Sequence, residues 1–300
     1  MVQYEKIDLQ MFAEANMTAA VDLTPGISLD FVSKFSGNIS ELQKVLGITE
    51  MDAMAAGTTI KIYKMDVGEL AEQVAEGETI GLTKVTRVLA GTKELVLEKF
   101  RRNASAEAIQ KHGRNVAINQ CDEKLIAKIQ KKIKQEFFDV LATGTGEAQG
   151  VGLQATLANA WGKLNVAHED EGATPVHFLS PLDVADYLGN AQITMQNAFG
   201  LSYVENFLGL GTVIVSPRVE KGKVYSTSKE NLHGAYVPAN SGDVARTFGL
   251  TSDSTGLIGM THQPITGNAT VDTLMMAGVI FYPEYLDKVI VGTIQPATGA

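Results

Sequence analysis

Two stretches of the sequence combine residue types that hold ligands in other proteins. The run His168-Glu169-Asp170-Glu171 offers one imidazole and three carboxylates, which are common metal donors. The run GTGEAQG at residues 144–150 is rich in glycine, as phosphate-binding turns are. However, no second histidine or cysteine stands at ligand spacing, and the glycine run follows a predicted helix and lacks a Gly-Lys-Ser/Thr ending. We therefore interpret the first run as a solvated acidic loop and the second as a flexible hinge.

The other residues with catalytic chemistry are isolated from one another. His112, His233 and His262 each stand alone, and His177 alternates with apolar neighbours in VHFL, which is typical of a core or interface histidine. Cys121, the only cysteine, falls on the apolar side of a predicted helix, where a thiol behaves as a small hydrophobe. No Gly-x-Ser-x-Gly elbow is present. The sequence therefore predicts no catalytic residue, no cofactor and no metal, in a protein that is not an enzyme.

Basic residues crowd one part of the predicted long helix. Acids such as Asp122 and Glu136 lie among them, so an ordinary solvated helix face is one interpretation. Nucleic-acid binding is a second interpretation, and a docking surface for an acidic segment is a third. The candidate contact residues of this group are Lys124, Lys128, Lys131 and Lys132, with Lys134 beside them.

An acidic segment elsewhere in the chain fits the third interpretation. Residues 67–81, VGELAEQVAEGETIG, contain no basic residue and separate two runs rich in β-branched residues. The segment is too polar to be buried in a core and too regular to be a structureless linker. Its four acidic candidates are Glu69, Glu72, Glu76 and Glu78.

Composition limits the class of protein. The chain has 300 residues and a formal net charge of −9, which argues against a surface that grips nucleic acid through its phosphates. A hydrophobic share of 45% with a charged share of 20% is typical of a globular protein. There is no run of about 20 apolar residues and no secretory signal pattern. We expect one large or two ordinary domains, of cytoplasmic origin and without membrane contact.

The first half of the chain predicts an arm, a short helix, two strands and a long helix. Residues 1–36 have scattered apolar positions and predict an extended arm that packs on another surface, and residues 39–46 predict a short helix. Residues 58–100 predict two long strands around the acidic segment, with a bulge or bend at Gly91. Residues 106–142 predict a helix of about 35 residues, or ~50 Å, capped by Ser105 and kinked or split at Gly113. Its predicted apolar stripe is Ile109, Ile118, Cys121, Leu125, Ile129, Ile133, Phe137 and Leu141.

The second half predicts short strands mixed with short helices, which makes the fold class α+β. A strand at VHFL is followed by a helix that Ser180 and Pro181 open, because serine favours the cap and proline the first helical position. Further strands are predicted at residues 209–219, 234–239, 255–265, 269–283 and 287–294.

This order of parts, with four local segments, resembles the major capsid protein of tailed bacteriophages of the Hong Kong 97 type. The resemblance covers essentially the whole chain, from an apolar arm through a two-stranded loop and a long spine helix to a mixed domain. The similar segments are DLQMFAEA at 8–15, FLSPLDVADYLG at 178–189, GLGTVIVSPRVEKGKVY at 209–225 and MMAGVIFYPEYLDKVIVGTI at 275–294.

The resemblance implies a fold with an N-arm, an extended β-hairpin loop, a peripheral domain built on the spine helix, and an axial domain. Mapped here, residues 1–57 form the arm and short helix, 58–100 the extended loop, 101–150 with 242–283 the peripheral domain, and 151–241 with 284–300 the axial domain. It also implies pentamers and hexamers in an icosahedral T=7 shell around double-stranded DNA. The chain would assemble in the host bacterial cytoplasm and end in the virion.

The resemblance further implies particular partners. No long N-terminal scaffolding extension is present, so a separate scaffolding protein is expected, together with a portal protein. DNA would be a neighbour by proximity, without sequence-specific binding. A two-stranded ribbon is marginally stable alone. We therefore hypothesise that the acidic segment lies over basic residues of an adjacent subunit, with the helix lysines as leading candidates.

Three other classes remain as alternatives. An encapsulin-type nanocompartment shell protein shares the fold, although such proteins generally begin with a helix where this chain predicts an arm. An enzyme would need convergent polar groups that the sequence does not offer. A monomeric binding module would leave the predicted arm and ribbon uncovered.

Overall fold

A computed structural model describes residues 50–69, 82–169, 172–188, 196–198, 201–204, 207–239, 241–252 and 256–296. The predicted arm and the predicted helix at residues 39–46 lie outside the described residues. The same is true of Glu72, Glu76 and Glu78, whereas Glu69 is described.

The described strands range from two to ten residues in length. In chain order they are β1 (Glu50–Ala53), β2 (Thr59–Val67), β3 (Val85–Glu94), β4 (Glu98–Ser105), β5 (Gly146–Val151), β6 (Pro175–Leu179), β7 (Gln196–Ala198), β8 (Leu201–Val204), β9 (Thr212–Val215), β10 (Lys223–Ser228), β11 (Leu232–Tyr236), β12 (Thr251–Ser252), β13 (Ile258–Ile265), β14 (Thr270–Ala277), β15 (Val279–Pro283) and β16 (Ile290–Gln295).

The helices comprise one long segment and several shorter ones. They are α1 (Ala106–Arg114), a π-helical turn (Asn115–Gln120), α2 (Cys121–Ala142), α3 (Gly152–Ala167), α4 (Pro181–Leu188) and α5 (Gly242–Phe248). The 3-10 turns are Phe207–Gly209 and Lys229–Asn231.

The predicted long helix is present, with the break that glycine suggested. Ser105 caps its start, because its hydroxyl accepts a hydrogen bond from the Ala108 amide at 3.2 Å. Gly113 has φ +79° and ψ 155°, which is not helical, so the backbone turns there. From Arg114 to Ala142 the helix is unbroken and about 43 Å long. The predicted apolar stripe is buried at Ile118, Ile129, Ile133, Phe137 and Leu141 and half-buried at Ile109, Cys121 and Leu125.

The predicted two-stranded loop is also present, and it is shorter than expected. β2 and β3 pair antiparallel, with Ile62 opposite Gly91 and Tyr63 opposite Leu89, so Ala90 is an extra residue and forms a bulge. This confirms the bend predicted at Gly91. The run expected to continue to residue 100 ends at Glu94, because Glu98–Ser105 forms β4 and pairs with β14 instead.

The chain divides into two compact units, described here one at a time. The first contains Glu98–Lys131 and Ala239–Ala277. Its four-stranded antiparallel sheet has the order β12-β13-β14-β4. Ile258 and Met275 are fully buried within it.

The second unit contains the described residues 50–97, Lys132–Pro238 and the chain from Gly278 onward. Its mixed sheet has the order β5-β16-β10-β6-β9-β8-β7, and a smaller sheet has the order β1-β11-β15. Phe137, Phe138, Phe178 and Phe281 pack edge to face at centroid distances of 5.3–5.6 Å. The division of the chain into an arm, an extended loop, a peripheral domain and an axial domain remains a prediction.

The glycine-rich stretch after the long helix is a strand, so the predicted hinge is wrong. It forms β5, which pairs in parallel with β16. A Cβ on Gly144 would lie 2.5 Å from the Val289 carbonyl oxygen, and one on Gly150 would lie 2.5 Å from the Thr156 amide nitrogen. These glycines therefore permit close packing.

Candidate assembly surface

The β2–β3 hairpin presents apolar side chains that the described chain does not cover. Within the described residues its strands pair only with each other. The exposed fractions on and beside β3 are large: Leu82 99%, Val85 56%, Val88 50% and Leu89 50%. Because a two-stranded ribbon is marginally stable alone and these apolar side chains are exposed, the ribbon is a candidate contact for another protein surface.

Two polar contacts stabilise the part of the hairpin beyond the bulge. The Arg87 guanidinium lies 3.8 Å from the centre of the Tyr63 ring, a cation–π contact. The Gly68 amide donates to the Lys84 carbonyl at 2.9 Å, so pairing extends one step beyond the strands. Glu69 follows directly and is exposed. The first glutamate of the acidic segment therefore directly follows the last described hydrogen bond of the ribbon.

The structure brings the four predicted lysines onto one side of the long helix. Lys124, Lys128 and Lys131 are all exposed, and their spacing places them on one face. Lys132 is also exposed and forms an ion pair with Glu136 at 3.5 Å. At 100° per residue, the four lysines fall within an arc of about 100°. Their pairing with the acidic segment remains a prediction.

Lys134 is different from these four. It is half-buried, and burial, followed by the nearby charge of Arg218, lowers its pKa to about 8. Arg218 donates to the Gln135 side chain, and burial lowers the pKa of Arg218 as well. This proximity of like charges was not predictable from the sequence, because 84 positions separate the two cations along the chain.

The two notable histidines of the second unit are structural. His177 is fully buried, with Nδ1 2.7 Å from the Ser226 hydroxyl and Nε2 3.1 Å from the Leu210 carbonyl, which confirms its prediction as a core residue. Burial lowers its pKa to about 4. His168 is also buried, with Nε2 3.2 Å from the Ser228 hydroxyl. The prediction that His168 belongs to a solvated loop is therefore wrong.

The rest of the acidic run is only partly described. Glu169 is exposed, and Asp170 and Glu171 lie outside the described residues. Across the part of the chain that is described, no three His, Cys, Asp or Glu side chains cluster as metal ligands would. In the same part of the chain, no helix is both long enough and apolar enough to cross a bilayer.

A buried ionic network in the first unit was missed from the sequence. Asp122 is 3% exposed and accepts from Arg102 Nη1 at 3.0 Å and from His262 Nε2 at 2.6 Å. The Thr273 hydroxyl lies 3.4 Å from the same carboxylate, and Arg102 also donates to the Ala117 carbonyl of the π-helical turn. These contacts tie the sheet to the start of α2. They satisfy a charge whose burial would otherwise be costly.

Comparison by sequence finds no match to a protein-family model and none to a curated protein. Comparison by structure finds several capsids. The capsid of an empty GTA particle is 10% identical with a TM-score of 0.59, covering 86% of this chain and 90% of that chain. The mature capsid of bacteriophage PhiM1 is 8% identical with a TM-score of 0.53, covering 83% and 85%.

A third similar structure is an encapsulin complex. The holo-SrpI encapsulin complex from Synechococcus elongatus PCC 7942 is 12% identical with a TM-score of 0.50, and the match covers all of both chains. The long helix, the mixed sheets and these likenesses lead to one conclusion about architecture. The chain has the α+β capsid fold of the Hong Kong 97 type.

Proposed function

We propose that this chain is a structural shell protein, the major capsid protein of a tailed bacteriophage. It assembles into pentamers and hexamers of an icosahedral head, with T=7 geometry, that encloses double-stranded DNA. The observation that carries the proposal is the β2–β3 ribbon, whose apolar side chains are exposed in a chain that has a capsid fold. In a closed shell, a neighbouring copy covers each such ribbon.

Charge would guide the contact between copies. In this proposal the acidic segment that begins at Glu69 lies over the exposed lysines of a neighbour. Each exposed ion pair contributes only about 0–1 kcal/mol. The set of ion pairs therefore contributes more to the relative alignment of the two copies than to their affinity. The residues concerned are Glu69, Glu72, Glu76 and Glu78 on one copy and Lys124, Lys128, Lys131 and Lys132 on the other.

The proposal includes partners other than the chain itself. A separate scaffolding protein would direct assembly in the host cytoplasm, and a portal protein would occupy one vertex. DNA would be packaged inside without sequence-specific contacts, and the net charge of −9 limits adhesion to its phosphates.

A second candidate function is that of an encapsulin-type compartment shell. The likeness to the encapsulin complex over the full length of both chains favours it. In that case the shell would form without a scaffold and enclose a protein cargo in place of DNA.

Expression with and without the candidate scaffolding protein, followed by electron microscopy, tests both functions. Closed shells of uniform size that require the scaffold support the phage capsid. Shells that form from the chain alone and enclose a co-purified enzyme support the compartment. Small soluble species under every condition would contradict both.

A further inference from the structure

Among the described residues of the second unit, no strand pairs with the outer edge of β5. β5 is the end strand of the seven-stranded sheet and pairs with β16 on one side. The Gly146 amide donates to the Val289 carbonyl at 3.1 Å, so the backbone groups of Gly146 face β16. Backbone direction alternates along a strand, and the N–H and C=O groups of Glu147, Gln149 and Val151 therefore face outward.

Two side chains of α3 donate hydrogen bonds to the outward-facing carbonyl oxygens of β5. Asn159 Nδ2 donates to the Gln149 carbonyl oxygen at 2.7 Å, and Lys163 Nζ donates to the Glu147 carbonyl oxygen. These carbonyls are two residues apart, which is the spacing at which an added strand would place its own N–H donors. Both side chains are exposed, so they can move away without disturbing the core.

A groove of about 650 Å³ runs beside this edge, between β5 and α3. Its helix wall carries Ala158, Gly162 and Val166, and the Val166 side chain is 74% exposed. Lys163 is the only charged residue in α3. The groove therefore offers space next to strand-pairing groups, with Lys163 as the one charged residue on its helix side and Glu147 and Asp287 elsewhere in its lining.

We infer that the outer edge of β5 pairs with β7 of a second copy of this chain. In the free subunit, Asn159 and Lys163 bind the carbonyl oxygens that the added strand would bind after assembly. The inference rests on the proposed shell function. A closed ring needs two different patches on each copy, because its contacts are head to tail. β5 and β7 are the two ends of one sheet, and among the described residues β7 pairs only with β8. Head-to-tail pairing would continue that sheet from copy to copy.

Substitution Val151→Pro tests the edge. Val151 has φ −82°, close to the angle that proline requires, and its side chain is 53% exposed. Proline removes the outward N–H and adds a ring on the pairing edge, whereas Val151→Ala trims the side chain and keeps the N–H. The loss of one strand hydrogen bond weakens each subunit contact about fivefold. We expect Val151→Pro to slow or abolish shell formation and Val151→Ala to assemble as the wild type does.

Circular dichroism and thermal unfolding of the free subunits establish that both variants fold. Gln149→Pro, which removes the next outward N–H, serves as a second variant if Val151→Pro does not fold. Amide hydrogen exchange then identifies the partner strand, since peptides from β5 and β7 should both gain protection on assembly.

The outcomes separate the inference from the function on which it rests. Normal shells from the proline variant, or equal failure of Val151→Ala, would overturn edge pairing while leaving the shell function intact. Protection of β5 without protection of β7 would overturn β7 as the partner. A wild-type chain that forms no shells would overturn the proposed function, and the inference with it.

Discussion

Substitution His177→Gln measures how far the stability of this fold depends on pH through one buried imidazole. His177 is fully buried, and its pKa is lowered from 6.5 to about 4, chiefly by burial, with the hydrogen bond to the Leu210 carbonyl acting in the opposite direction. In the unfolded chain this imidazole binds a proton near its ordinary pKa. Falling pH therefore stabilises the unfolded chain relative to the folded one. The full effect corresponds to about 3 kcal/mol of unfolding free energy.

These two pKa values set the pH range over which His177 changes the free energy of unfolding. The stabilisation is complete above pH 6.5, is lost progressively as the pH falls toward about 4, and changes no further below that. Glutamine keeps a donor and an acceptor but does not titrate. The variant should be less stable than the wild type at neutral pH, since it loses the packing of the ring. The difference between the two proteins should then shrink by about 3 kcal/mol on acidification.

Urea unfolding of the free subunit, followed by circular dichroism at several pH values between about 7 and 4, checks this expectation. Other groups titrate in the same range, but they are common to both proteins and cancel in the difference. A difference in unfolding free energy that stays constant across the window would refute the argument that burial keeps His177 neutral.

Three further predictions concern the ionic network, the packed glycines and the acidic segment. Arg102→Ala leaves the buried Asp122 carboxylate without its cation and should lower the unfolding free energy, measured by urea titration, by about 3–5 kcal/mol. The control Arg101→Ala removes a half-exposed ion pair and should lower it by at most about 1 kcal/mol. Gly150→Ala should destabilise by about 1–3 kcal/mol, since its Cβ would meet backbone, while Gly162→Ala, with open space around it, should stabilise α3 by about 0.5–1 kcal/mol in thermal melts. Reversal of the four candidate glutamates to lysine should leave a folded, helical subunit by circular dichroism yet impair assembly by electron microscopy, and normal shells from that protein would contradict the charge-guided contact.

Elements with a strong local period were predictable from the sequence. The long helix followed from an apolar stripe of helical spacing, and Ser105 and Gly113 marked its cap and its break through their own backbone preferences. The hairpin followed from two β-branched runs, and Gly91 pointed to the bulge. In each case the residues that decide the structure are close together in the chain.

Features that depend on distant residues were not predictable. Gly144 and Gly150 are explained by Val289 and Thr156, which no local pattern connects to them. Helix α3 was missed because it is apolar around much of its circumference, so its amphipathic signal is weak. The Asp122 network joins residues up to 151 positions apart.

The same limit applies to the candidate surface. Lysine spacing alone placed four charges on one helix face, but it gave no sign that Lys134 lies beside Arg218. The acidic run beginning at His168 looked solvated because three of its four residues are charged acids. The imidazole nevertheless turns inward to the Ser228 hydroxyl.

The extra residue at Ala90 bears on how the ribbons of two free copies of the chain can pair. A flat two-stranded ribbon with open edges would add strands from other copies without limit and form fibres. A bulge increases the local twist and interrupts the ladder of hydrogen bonds, so two such ribbons cannot align along their whole length. If the chain assembles as proposed, this one added residue would oppose uncontrolled pairing of ribbons between free copies.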